Sequence, residues 1–290
     1  MKLHSQSNFR LVLLTLFTAG LVAGAAQADI RETARTVFAA NKEAVISLTA
    51  VVKVEVPGRS SQGQDVAVTG TVIGADGLTV VSAASINPVA ALLEAAGEER
   101  TTTKPKVELT DIKYRLADGT EIPGRLVYKD RDLDLAFLVP NLKAGEASPK
   151  FASLAAKEGP KARELDEIIS VTRLSKNMNH ASAVSLGHIV ATVTKPRTVY
   201  DFALNGTPTT GSPVFTGGGE LLGFAMIHPN DSGASSAALR AMLSGGGEIV
   251  ILPVGEVTGL VEFARKAAAK NEAKPAAETK PAAEAPEEAK

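Results

Sequence analysis

The stretch GTVIGADGLTVVSAASI, residues 70–86, is an apolar, β-branched run, an Ala-Asp-Gly turn and a second apolar run. Asp-Gly between two such runs is hairpin chemistry, because glycine reaches the positive φ that a tight turn demands. One hairpin does not make a fold, but the same rhythm fills most of the chain. Short apolar segments stand at 44–56, 66–73, 78–82, 106–116, 124–128, 133–139, 168–172, 185–194, 214–215, 221–227 and 248–252, most of them bounded by Gly, Pro, Asp or Asn. Many short strands with turn chemistry between them predict a sandwich or closed barrels, not a parallel sheet with crossover helices.

Helical spacing interrupts this pattern in three places. Ile30–Asn41 carries Ile30, Ala34, Val37 and Phe38 on one side, Pro88–Glu99 reads as a short helix in an insertion spanning 87–105, and Val254–Lys270 begins with Val257, Leu260, Val261, Phe263 and Ala264. The last stripe predicts a closing helix packed on the strands. The end of the chain is built from Ala, Lys, Glu and Pro without an apolar period, so residues 266–290 are expected to form a disordered tail.

The chain of 290 residues is 44% hydrophobic, which suffices for a sizeable core, and its net charge of -1 predicts no nucleic-acid partner held by phosphate neutralisation. Lys2 and Arg10 precede the apolar run at 11–24, and Ala26-Gln27-Ala28 follows it, the pattern of a secretory signal peptide cut after Ala28. The expected location is periplasmic or secreted, with no membrane span after cleavage, because the apolar run is shorter than the ~20 residues a spanning helix needs. The chain has no cysteine, which removes disulfides, thiolate metal sites and a cysteine nucleophile together.

Two further stretches give the order of the segments its meaning: ADGTEIPGRLVYKDRDLDLAFL at 117–138 and NGTPTTGSPVF at 205–215. With residues 70–86 they resemble, in sequence order, the three landmark segments of trypsin-like peptidases of the bacterial Deg/HtrA type, which bring histidine, aspartate and serine. Asp76-Gly77, Asp134-Leu135-Ala136, Gly211, Pro213-Val214, Gly219-Glu220 and Gly223 fall at matching places, and GGGEIVILPV at 245–254 is similar to the family's last strand. The resemblance spans residues 44–265 behind a helical lead-in at 29–43, and no PDZ-like domain follows. It implies an all-β fold, two six-stranded antiparallel β-barrels with a C-terminal helix.

Carried over residue by residue, the resemblance puts the histidine position on Ala84, the aspartate on Asp134, the serine on Thr210 and an oxyanion-hole glycine on Pro208. Alanine cannot take a proton, and a triad needs a base to remove the hydroxyl proton and return it to the leaving group. Proline has no N–H to hold an oxyanion. Rescue by His180, His188 or His228, or a nucleophile at Ser212, is disfavoured by spacing. Asp130, Asp132 and Asp134 alternate as in a calcium loop, but Leu135 and Asn141 stand where its glycine and distal glutamate belong. No metal or cofactor is expected.

The reading is therefore a pseudoprotease that binds a peptide or partner protein in the inter-barrel cleft, an active protease relative being one candidate partner. One alternative is an endopeptidase using Thr210 with an unrecognised base. The other is a structural or assembly factor of the cell envelope that uses the insertion or the tail.

Overall fold

A computed structural model describes residues 29–55, 62–89, 106–143, 145–146, 149–228 and 248–272. The chain enters through helix α1 (Ile30–Asn41) and then forms strands β1 (Val45–Glu55), β2 (Gln62–Val72), β3 (Thr79–Ser82), β4 (Lys106–Arg115), β5 (Glu121–Asp130) and β6 (Leu135–Pro140), with a one-turn helix α2 (Ala83–Ile86) after β3. A second set follows: β7 (Glu167–Arg173), β8 (Ser182–Val193), β9 (Val199–Leu204), β10 (Pro213–Thr216), β11 (Leu221–Ile227) and β12 (Ile249–Pro253), closed by helix α3 (Val254–Glu272). Each set is a closed antiparallel barrel, ordered β1-β2-β3-β6-β5-β4 and β10-β11-β12-β9-β8-β7. The expected two six-stranded barrels with a C-terminal helix are thus present.

Alternation within the strands decides which side faces where. On β1, Ile46, Leu48 and Ala50 point into the first barrel with Val81, Tyr114 and Leu138, while Val45 and Ser47 are buried on its outer face. On β6, Ala136 and Leu138 fill the barrel whereas Leu135, Phe137 and Val139 join Phe224, Met226, Val250 and Leu252 in a core between the barrels. Strands covered on both faces read as unbroken apolar runs, which is why LAFLV and LLGFAMI lack a polar alternation. Burying Phe137 and Phe224 completely contributes about 1.5–3 kcal/mol each.

Three expectations change. Strand β9, VYDFAL, was not among the expected segments; Tyr200 and Phe202 enter the second barrel while Asp201, whose carboxylate accepts from the Phe202 N–H at 2.8 Å, interrupts the apolar run. On α3 the buried residues are Val254, Val257 and Ala264, with Leu260, Val261 and Ala268 packed beside them, and Phe263 is 59% exposed. At 100° per residue Phe263 lies well round the helix from the stripe formed by 257, 261, 264 and 268. The same helix continues to Glu272, so residues 266–272 are helical and not tail. The expected helix Pro88–Glu99 lies almost wholly outside the described residues, as does the remainder of the tail.

One side chain straps the barrels together. Arg173, at the end of β7, donates through Nε to the Val45 carbonyl at 2.6 Å and through Nη2 to the Lys42 carbonyl at 3.1 Å. Its Nη1 reaches the His180 carbonyl at 3.4 Å. These bonds place the start of β1 against the second barrel and define one wall of the cleft described next.

Candidate functional site

The site forms where three turns converge between the barrels. The first follows β3: Ser82 ends the strand, and its hydroxyl accepts the Ser85 N–H at 3.1 Å, capping α2. The second is the β5–β6 turn, in which the Asp130 carboxylate accepts the Leu133 N–H at 3.0 Å and Asp134 takes a left-handed φ of 53°. That conformation is uncommon for a residue with a Cβ and turns the Asp134 side chain inward. Asp130 and Asp134 are thus turn-forming residues, and among the described residues no group of three or more His, Cys, Asp and Glu could hold a metal ion.

The third turn is Gly206–Ser212, whose Gly211 sits against β2 at Thr69–Thr71. Gly211 has φ +79°, donates its N–H to the Ala225 carbonyl at 2.7 Å, and accepts the Thr71 hydroxyl at 2.7 Å. Ser212 is fully buried, its hydroxyl donating to Thr172 at 2.8 Å, so it is not presented to the cleft. Thr210 is presented, and Pro208 stands two residues before it without an N–H to offer.

Asp134 lies beneath these turns, 4% exposed. Its carboxylate accepts the Ser82 hydroxyl at 2.6 Å, the Ala84 N–H at 2.7 Å and the Ile227 N–H at 2.9 Å, joining both barrels at one group. Ala84 therefore meets Asp134 through its backbone. The side chain that meets Thr210 is Ser85, Oγ to Oγ1 at 2.8 Å. The residue facing Thr210 is thus one place after Ala84: β3 gives way to a helical turn after Ser82, and one residue of helix rotates the side chain by about 100°.

The histidines go elsewhere. His180 pairs through Nδ1 with the Ser47 hydroxyl at 3.0 Å, on the outer face of β1. His188 is exposed on β8, and His228 lines a separate hollow of about 290 Å³ with Asp132, Leu133 and Arg197. Among the described residues no histidine bonds Thr210. A family model described as a trypsin-like peptidase domain matches residues 68–224, just over half of the chain. The chain belongs to the trypsin-like peptidase family. No curated protein matches the sequence.

In this trypsin-like frame Ser85 and Thr210 line a cleft of about 800 Å³ between the barrels, with Asp134 buried beneath them. The cleft is walled by Thr69 and Val68 on one side and by Arg173, Leu174 and Ser175 on the other. Hydroxyl groups are neutral over the physiological range, so the Ser85–Thr210 pair exchanges a hydrogen bond but supplies no base near pH 7.

Asp134 is the titratable group of the site. Burial pushes its carboxyl up to about 6, against the Ser82 hydroxyl and the Ala84 and Ile227 N–H groups, which favour the charged form. The unfolded chain ionises this group near 3.8, while the folded chain keeps the proton until about pH 6. Its stabilising contribution is therefore full below pH 3.8 and is lost as the pH rises to about 6, a fall of about 3 kcal/mol at ~1.4 kcal/mol per pH unit. Urea unfolding of the protein and of Asp134→Asn between pH 4 and pH 7 checks this. The stability difference should move by about 2 kcal/mol in favour of the asparagine variant across that range, most of the full effect; a constant difference contradicts the raised pKa.

Proposed function

We propose that this trypsin-like protein is a secreted or periplasmic pseudoprotease, a degenerate Deg/HtrA-type homologue, that binds extended peptides or partner-protein segments in the inter-barrel cleft. The observation that carries the reading is the 2.8 Å contact between Ser85 and Thr210. A serine stands where the nucleophile's base is required, so nothing there accepts the Thr210 proton or returns it to a leaving amine. Pro208 compounds the loss, because an absent oxyanion donor costs about 2.7–4 kcal/mol of transition-state stabilisation. The cleft itself needs no triad to hold an extended chain, for which backbone hydrogen bonds and side-chain pockets suffice.

Location rests on the amino-terminal pattern ending at Ala28. Among the described residues no helix is long and apolar enough to cross a membrane. The test of the pseudoprotease reading is incubation of the purified protein with unfolded casein and with a fluorophosphonate probe. Neither cleavage nor labelling is expected over hours; turnover that disappears in Thr210→Ala would overturn it.

A further inference from the structure

The charges of the cleft select its ligand. Among the described residues the ionisable side chains lining it are Arg173, Lys176 and His180, all bases, and no carboxylate lines it. Around them the lining is hydroxyl and apolar, with Ser47, Thr69, Thr172 and Ser175 nearest in kind to a hydrogen-bonding wall. Arg173 is committed to backbone carbonyls and lies 3.9 Å from Glu43, so its charge is partly offset. Lys176 is exposed and His180 half-buried, and the Ser47 contact uses His180 Nδ1, leaving Nε2 as the ring's other polar atom.

The field at this end of the cleft is positive. The His180 pKa is lowered first by burial and then by the nearby charges of Arg115, Lys176 and Arg173. A carboxylate placed between Lys176 and His180 would gain from that field, and a cation would be repelled.

We propose that the cleft takes an extended peptide segment bearing an acidic side chain, with the carboxylate seated against Lys176 and His180 beside the Ser85–Thr210 pair. This rests on the peptide-binding reading above and names its ligand chemistry. The occupant is a segment of a partner protein, and the lining argues its chemistry: Lys176 and His180 complement a carboxylate, and among the described residues no acid lines the cleft.

The test is fluorescence anisotropy with labelled, C-terminally amidated heptapeptides of alanine, valine and threonine carrying one glutamate at each position in turn, against glutamine twins. The best glutamate peptide should bind about five- to tenfold more tightly than its twin at low salt, with the gap closing as salt rises. Lys176→Glu, an exposed change, should abolish or invert the preference, and His180→Gln should reduce it. Equal binding of the twins overturns the acidic preference and leaves peptide binding standing. Binding of neither removes the peptide-binding reading itself. If the purified protein binds no added peptide until the chain's own sequence AAEAPEEAK (282–290) is deleted, that segment is the occupant and the partner proposal fails.

Discussion

A variant carrying Ser85→His, Thr210→Ser and Pro208→Gly should gain a nucleophile that a fluorophosphonate labels, where the parent protein shows none. Each change supplies a missing part. Histidine at 85 places an imidazole where Ser85 now meets Thr210, above the Asp134 carboxylate that would orient it and stabilise its charged form. Glycine at 208 restores a backbone donor for the oxyanion, and serine at 210 removes a methyl from the attacking group. The effects act as a unit, so the single changes should give almost nothing and the triple variant a gain of several orders of magnitude. Adding Asp134→Asn to the triple variant should lower the labelling rate by on the order of 10⁴-fold, because the imidazole is then held in the wrong tautomer. A folded triple variant that stays unlabelled would show that the cleft geometry has departed along with the chemistry. The corresponding variant with histidine at 84 should be inert, since Ala84 reaches the site through its N–H.

Gly211→Ala should cost more than about 3 kcal/mol of stability. Two independent penalties meet at this residue. Its φ of +79° is a left-handed conformation that costs a residue with a Cβ about 1–2 kcal/mol. A Cβ built there would also run into the Thr69 carbonyl oxygen, which belongs to the β2 backbone and has no rotamer to give way. Relief would require the turn to lift off the first barrel, breaking the bond from the Thr71 hydroxyl to the Gly211 carbonyl at 2.7 Å and that from the Gly211 N–H to Ala225 at 2.7 Å. Urea unfolding measures the loss. Gly255→Ala, at a helical position with open space around it, is the control and should be neutral or stabilising by up to about 1 kcal/mol. A loss below about 1 kcal/mol at Gly211 would mean that the turn is not pinned as described.

The site was partly legible before folding was known. The resemblance singled out Asp134, Thr210 and Pro208, which lie in turns at element boundaries, where the local chain sets the register more than distant packing does. Ser85 could not be separated from Ala84 on the same footing. Both follow β3, and which one faces Thr210 depends on where the strand ends and a helical turn begins, a boundary decided by the Ser82 cap and by the Asp134 carboxylate reaching across from another turn. The basic wall of the cleft was invisible for a related reason: Arg173 and Lys176, with Leu174 and Ser175 between them, form no charge run, and Ser47 is more than a hundred residues from its partner His180.

The barrels divide along the same line. Short apolar runs, Asp-Gly turns and bounding prolines determine many strands and their turns, because hairpin pairing is local and glycine's freedom at Gly77 is a property of the residue itself. Closure, the partner of β9, the orientation of Phe263 and the convergence of Ser85, Asp134 and Thr210 belong to the tertiary structure alone. They arise from contacts between segments far apart in the chain, where burial and hydrogen-bond satisfaction across both barrels, and not local propensity, select the arrangement.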